Sequence, residues 1–158
     1  LQYRSGNSIP RDLGLFEYMG ETYCSVVPSP EMTSARSKKA TKSLSESCEM
    51  VVNLKGNATI TLSNDKGEKV VMLYDAKAET FSMDRTKSGK MDFSNDFAAT
   101  TKAPTYGKIS QLRIFIDKSS IEVFDAEGKM AMTNLVFPTK PYNKVTVKGG
   151  KYQVYHIK

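Results

Sequence analysis

From residue 48 to the end of the chain, apolar and polar residues alternate with a period of two. In CEMVVNLK, Cys48, Met50, Val52 and Leu54 take one side and Glu49, Val51, Asn53 and Lys55 the other. Successive side chains of a strand point to opposite faces, so this pattern makes a half-buried strand. ATITL repeats it with Ala58, Ile60 and Leu62. NDKGE (64–68) supplies residues that tolerate the backbone angles of a reversal, and KVVMLY returns as a strand. DAKAE makes the next turn and TFSMD the next strand. QLRIFID, IEVFD, MAMTNLVF, KVTV and YQVYHI follow, separated by KSS, AEG, PTKPYN and KGG, with Gly149-Gly150 read as a hairpin turn. Short strands at regular spacing, without a convincing helical segment, define an all-β antiparallel sandwich or barrel.

The first third reads differently. LGLFEYMGETYCSVV has the form of a hairpin turning at Gly20, and PSPEMTSARSKKATKSLSES after it is a linker or a long surface connection. The expected division is a leading segment and hairpin (1–32), a linker or long loop (33–47) and a main sandwich (48–158). These count as a single domain of 158 residues, because a two-stranded hairpin alone is marginal in water. FSMDRTKS and IFIDKSSI echo one another but read as two similar strand ends, far shorter than a repeat unit. A chain this long buries enough surface to need neither metal nor disulfides. Cys24 and Cys48 are therefore read either as a bridge or as two free thiols.

A net charge of +6 invites a nucleic-acid partner, but only five of the 23 basic residues are Arg, the residue that forks onto phosphate. The Arg36, Lys38, Lys39, Lys42 run has no aromatic interleaved for base stacking, so a solvated loop is expected there and no nucleic acid. No apolar run approaches the roughly 20 residues that span a bilayer, and no signal peptide opens the chain, so no membrane span is expected. Beginning at Leu1 without Met, the chain reads as a segment of something longer.

Asp117 and Glu122 bracket the turn of FIDKSSIEVF like a pair of working carboxylates. With Lys118 and Ser119 as a two-residue turn, Ile116 faces Ile121 and Phe115 faces Glu122. Leu112, Ile114, Ile116, Ile121 and Val123 then share one face, and Arg113, Phe115, Asp117, Glu122 and Phe124 the other. Arg113 lies diagonal to Glu122 and is its expected partner. Apolar groups on both faces imply that the second face is covered, by the linker or by another domain. A glycosidase-like acid and nucleophile would need two carboxylates about 5–9 Å apart around a pocket. A carboxylate in a turn and another beside an Arg read instead as scaffolding.

Other chemistry is sparse. His156 has no Cys or carboxylate at ligand spacing, so no metal or other cofactor is expected. There is no Gly-x-Ser-x-Gly elbow. The eight Met read as core filler. Tyr74, Tyr106 and Tyr142 fall at or near turns, where a ring can present a sugar-stacking face.

Three stretches carry a resemblance over essentially the whole chain. YRSGNSIPRDLGL (3–15) looks like the segment by which glycoside hydrolases of family 32 leave their catalytic propeller, and YCSVVPSPE (23–31) is similar to the strand and turn that follow. LRIFIDKSSIEVFDAEGKMAMTNLVFP (112–138) closely resembles the hallmark of the C-terminal β-sandwich of those enzymes, and FSMDRTKSG (81–89) matches a recurrent strand end there. The Lys- and Ser-rich 33–47 stretch matches no family pattern. The resemblance implies a two-sheet sandwich of the concanavalin or lectin-like jelly-roll type, the C-terminal module of a levanase, inulinase or invertase-like retaining β-fructofuranosidase. Its implied partner is the N-terminal five-bladed propeller of the same parent chain. A fructan oligosaccharide and a second copy are further possible partners, and polysaccharide degradation implies an extracytoplasmic setting. The family's catalytic motifs, Asn-Asp-Pro-Asn, Arg-Asp-Pro and Glu-Cys, are all missing; PRD (10–12) and CE (48–49) reverse the last two only in letters. No catalytic residue is carried over. Arg113, Phe115, Asp117, Glu122 and Phe124 are the expected structural and docking residues. The rival reading is an independent fructan-binding module using Tyr74, Tyr106 and Tyr142.

Overall fold

The computed structural model describes residues 6–158. Its organising element is β3, Cys48–Ser63, one strand where the sequence suggested two. The first half of β3 pairs antiparallel with β7 (Gln111–Ile116), and its second half pairs with β4 (Lys69–Asp75). Both halves share their other edge with β10, Lys144–His156. From β7 the sheet continues to β8 (Ser120–Asp125) and β9 (Ala131–Leu135). From β4 it continues to β5 (Thr80–Lys87) and β6 (Thr100–Pro104), a strand that the alternation did not disclose. The β3–β10 ribbon thus belongs to both layers of the sandwich.

That ribbon bends at Gly149, which packs against Asn57 and Ala58 of β3. The register slips between Lys148, opposite Thr59, and Gly150, opposite Leu54. Gly149-Gly150 is therefore a bulge inside one long strand and not a hairpin turn, because β3 keeps an unbroken partner across the bend. Gly149 has φ +82°, and a Cβ there would stand 2.0 Å from the Asn57 carbonyl oxygen, so only glycine fits.

The inward residues come from the alternation. Met50, Val52, Ile60 and Leu62 of β3 join Met72, Phe81, Met83, Ile114, Ile121 and Val123 in one buried cluster. At the far edges the layers meet: Asn134 Nδ2 of β9 donates to Thr101 Oγ1 of β6 at 2.8 Å, and Arg85 donates to the Leu135 carbonyl at 3.0 Å. The sandwich is thereby closed toward a flattened barrel.

Before it, β1 (Arg11–Tyr18) and β2 (Glu21–Pro28) form a separate two-stranded sheet turning at Met19-Gly20. A single short helix, α1 (Pro30–Ser34), follows. The 33–47 stretch then runs beside β10, bridging Val154 within it from Thr41 and Ile157 just beyond it from Arg36. Cys24 is exposed and Cys48 buried, both as free thiols. Among the described residues no helix is long and apolar enough to cross a membrane.

Candidate functional site

The β7–β8 hairpin has the register that its turn dictates: Ile116 pairs with Ile121, Phe115 with Glu122, and the Asp117 amide donates to the Ser120 carbonyl at 3.0 Å. Its second face is apolar at the centre, where Phe115 and Phe124 meet edge to face with ring centroids 5.9 Å apart. Both rings are buried.

What buries them is the chain's own leading segment. Arg11 of β1 lies with its guanidinium carbon 5.0 Å from the Phe124 ring centre, and Arg113 lies 5.4 Å from that of Phe115. Arg11 Nη2 donates to Glu122 Oε2 at 2.5 Å and to Thr133 Oγ1 at 2.6 Å, while the Ile9 amide donates to Glu122 Oε1 at 3.0 Å. Glu122 is therefore held by Arg11 and not by Arg113. Arg113 Nε donates instead to Glu49 Oε1 at 2.7 Å, and Arg36 closes the other oxygen of Glu49. The reason is geometric. Glu49 and Glu122 both stand opposite Phe115, on the two strands flanking β7, so Arg113 has a carboxylate on either diagonal. Arg11 occupies one of them. Two buried carboxylates and three partly exposed guanidinium groups thus form one array, in which Arg11 and Arg113 lie over the paired rings and Arg36 over Tyr155.

Asp117 stays out of this array. It is exposed and accepts the Lys118 amide at 2.8 Å, as a turn aspartate does. Asp117 and Glu122 line one cleft with Ile9, Met32 and Cys48, but its volume of about 90 Å³ is well below the ~300 Å³ of small-molecule pockets. Burial pushes the Cys48 thiol above its ordinary pKa, which leaves it a packing group and not a nucleophile. Among the described residues no three His, Cys, Asp or Glu side chains gather as metal ligands would.

The three tyrosines separate. Tyr74 is core, its hydroxyl accepting the Ile109 amide at 3.0 Å, and Tyr142 is buried with its hydroxyl on the Ser88 carbonyl at 2.5 Å. Neither ring offers a face to a sugar, because both lie among the inward residues of the sandwich. Tyr106 is partly buried in an aromatic cluster, 4.3 Å from Tyr23 and 5.6 Å from Phe16 between ring centroids.

That cluster fastens the β1–β2 hairpin to the sandwich. Tyr18 donates to Glu79 Oε2 at 2.5 Å, and this bond, ahead of burial, raises the Tyr18 pKa. The Val26 amide donates to the Gly128 carbonyl at 3.0 Å. A Cβ on Gly128 would lie 2.9 Å from Val27 Cγ1, so the hairpin seats directly on the β8–β9 turn. The opposite face of the hairpin carries Leu13 and Leu15, cross-strand from Val26 and Cys24. Leu13, Leu15 and the turn residue Met19 are 72%, 76% and 86% exposed. The period-two pattern of LGLFEY contains this exposed face, but nothing local says which of its two faces is inward.

Such a molecule, an antiparallel sandwich whose buried glutamates Glu49 and Glu122 are both held by arginines, is a β-sandwich domain with a docked hairpin. The sequence matches the family described as glycosyl hydrolases family 32 C terminal over residues 19–158, and the chain belongs to that family. It is 32% identical over 149 residues to the sucrose-6-phosphate hydrolase of Vibrio alginolyticus, covering 90% of this chain and 29% of that protein. It is 31% identical over 100 residues to a levanase of a Bacillus species, covering 61% of this chain and 11% of the levanase. Among solved structures, exo-inulinase from Aspergillus awamori superposes with a TM-score of 0.78 at 20% identity, over 96% of this chain and 35% of that one. A family 32 β-fructofuranosidase of Bombyx mori gives 0.71 at 14% identity, over 96% and 32%. The chain thus spans between 11% and 35% of the length of these four proteins, and the superpositions, at low identity, show the fold alone.

Proposed function

We propose that this chain is the non-catalytic supporting sandwich of a retaining β-fructofuranosidase that hydrolyses fructans or sucrose, and that it docks the catalytic propeller of the same parent chain. The observation that carries the docking is the outer face of the β1–β2 hairpin, where Leu13 and Leu15 stand open to solvent while the inner face is packed. Contiguous exposed apolar surface on a hairpin this firmly seated is characteristic of an interface. Glu122 and Phe124 serve that docking from beneath, by fixing Ile9 and Arg11 against the sandwich, while Phe115 packs on Phe124 and Arg113 lies over Phe115. Asp117 contributes only its turn. The names of the relatives, hydrolases of sucrose 6-phosphate, levanases and inulinases, support the substrate class, and the extracellular inulinases among them support an extracytoplasmic setting.

The test separates support from catalysis. The chain alone, incubated with sucrose, inulin and levan, is expected to release no fructose. Mixed with the separately produced catalytic part of its parent, it is expected to associate in sedimentation velocity, and Leu13→Asp with Leu15→Asp is expected to weaken that association at least about tenfold, since two buried leucines are worth roughly 3 kcal/mol or more. Fructose released by the chain alone would overturn the non-catalytic reading. Association untouched by the two aspartates would overturn the docking face.

A further inference from the structure

Beside the loop after β5 and the segment after β9 lies a shallow, open groove of about 650 Å³, lined by Glu68, Gly89, Lys90, Met91, Asp92 and Thr139. This lies within the range of small-molecule sites, roughly 300–1,000 Å³. The two segments are locked together. The Lys90 amide donates to the Phe137 carbonyl at 2.8 Å, and a Cβ on Gly89 would sit 2.3 Å from that same oxygen. The groove is therefore part of the fold and not a gap between loops.

Next to Asp92 in sequence stands Phe93, 51% exposed. Its position is fixed from below: its ring centroid lies 4.7 Å from that of Phe97 and 5.5 Å from that of Phe137, and the Arg85 guanidinium lies 4.7 Å from the Phe97 ring. An aromatic ring held this way is already ordered, so contact with it costs little conformational entropy. On the groove wall Glu68 accepts both the amide and the hydroxyl of Thr139, at 2.9 and 2.8 Å, together with Asn64 Nδ2 at 2.6 Å. Its acceptor sites are nearly full, so Glu68 shapes the wall. Asp92 and Lys90 make no side-chain hydrogen bond or ion pair among the described residues. They present an acceptor and a donor of opposite charge, and the exposed Phe93, next in the chain after Asp92, packs at the groove's rim on Phe137, whose carbonyl accepts the Lys90 amide.

We propose that this groove, with Phe93 as platform and Asp92 and Lys90 as hydrogen-bonding groups, is a contact site for an uncharged oligosaccharide. A hydroxyl-rich neutral chain can give to the carboxylate and take from the ammonium group at once, whereas an anion or a cation would meet one like charge. The apolar face of a sugar ring matches the open face of Phe93. The choice of a fructan as that sugar rests on the proposed function; the site itself does not.

The experiment is isothermal titration calorimetry of the chain with a short inulin-type fructo-oligosaccharide, and in parallel with a malto-oligosaccharide. Saturable binding of the fructo-oligosaccharide is expected, weakened about tenfold by Phe93→Ala and by Asp92→Ala, and retained in Phe93→Tyr. Unchanged thermal midpoints in these variants show that the loss is local. Binding of the malto-oligosaccharide alone, with the same dependence on Phe93, would keep the site and overturn the fructan assignment. Binding indifferent to Phe93, or no saturable heat with either sugar at millimolar concentration, would overturn the site.

Discussion

Arg11 and Glu122 are 111 residues apart in sequence, yet Arg11 Nη2 stands 2.5 Å from Glu122 Oε2. With the Ile9 amide on the second carboxylate oxygen, this contact joins the segment leading into β1 to the β7–β8 hairpin. Glu122 is almost wholly buried, so its charge depends on these donors.

Removing either partner should therefore be costly. Arg11→Ala is expected to lower stability by about 3 kcal/mol, read from urea midpoints, because it strands the Glu122 carboxylate out of water, and Glu122→Ala by less, because Arg11 keeps contact with solvent. The double variant should fall short of the sum, which marks a coupled pair. Arg11→Lys should restore it only in part, since an ammonium group can reach Glu122 and Thr133 but cannot lay a planar guanidinium over the Phe124 ring.

The Glu49 array gives a sharper contrast. Glu49→Gln is expected to cost about 3 kcal/mol by leaving Arg36 and Arg113 without their carboxylate. Replacing all three together, Arg36→Met, Glu49→Leu and Arg113→Met, should lose far less, because apolar packing then replaces the ion pairs. Thermal melts of the single and triple variants decide it. A triple variant worse than Glu49→Gln would show that the array contributes net stability.

These arrays explain which parts of the molecule were legible in the sequence. The turn at Lys118-Ser119 fixed the register of its hairpin, and period two then assigned every face of β7 and β8. Pairing between distant strands was not legible. Arg113 has a carboxylate on each diagonal, and the choice between Glu49 and Glu122 was made by Arg11, a residue with no local signal. The burial of Tyr74 and Tyr142 escaped for a related reason: proximity to a turn does not say whether a ring faces in, and Tyr74 shares the inward parity of Met72. Phe93 lay in a stretch without periodicity, where its support by Phe97 and Phe137 had no sequence trace.

Acid and neutral pH should act on different carboxylates. At Glu68 burial works to raise the pKa, but the bonds from Asn64 and Thr139 prevail and hold it below its ordinary value. The stability it supplies is present above the unfolded carboxylate range near pH ~4 and is lost as pH falls through the folded pKa. Glu68→Gln is thus expected to flatten the acid limb of a stability–pH curve. Asp125 is shifted the other way, its carboxyl pushed up by burial despite the backbone amides of Lys129 and Glu127. Its folded form favours the proton, so stability falls as pH rises from the unfolded value through the folded one. Asp125→Asn should remove that decline. Urea midpoints across pH 3–7, an interval on the order of the carboxylate range, report both.

Gly149 allows a direct check of the bend. Gly149→Ala places a methyl group against the Asn57 carbonyl in a left-handed backbone, and a loss of roughly 3 kcal/mol or more is expected. Gly67, also left-handed at φ +77° but with open space around it, is the control: Gly67→Ala should cost about 1 kcal/mol. Equal losses at the two sites would mean that close packing at the bend contributes little.

The ribbon of β3 and β10 also sets the order in which the molecule can be completed. One edge of β3 is paired by β4 and β7 as the chain emerges, but its other edge waits for Lys144–His156, the last of its partner strands to be synthesised. Until then every nascent chain carries an open, apolar strand edge running through both layers, the kind of edge that recruits neighbours. Long-range pairing of this sort folds slowly, so translation leaves the sandwich exposed to aggregation until β10 has left the ribosome.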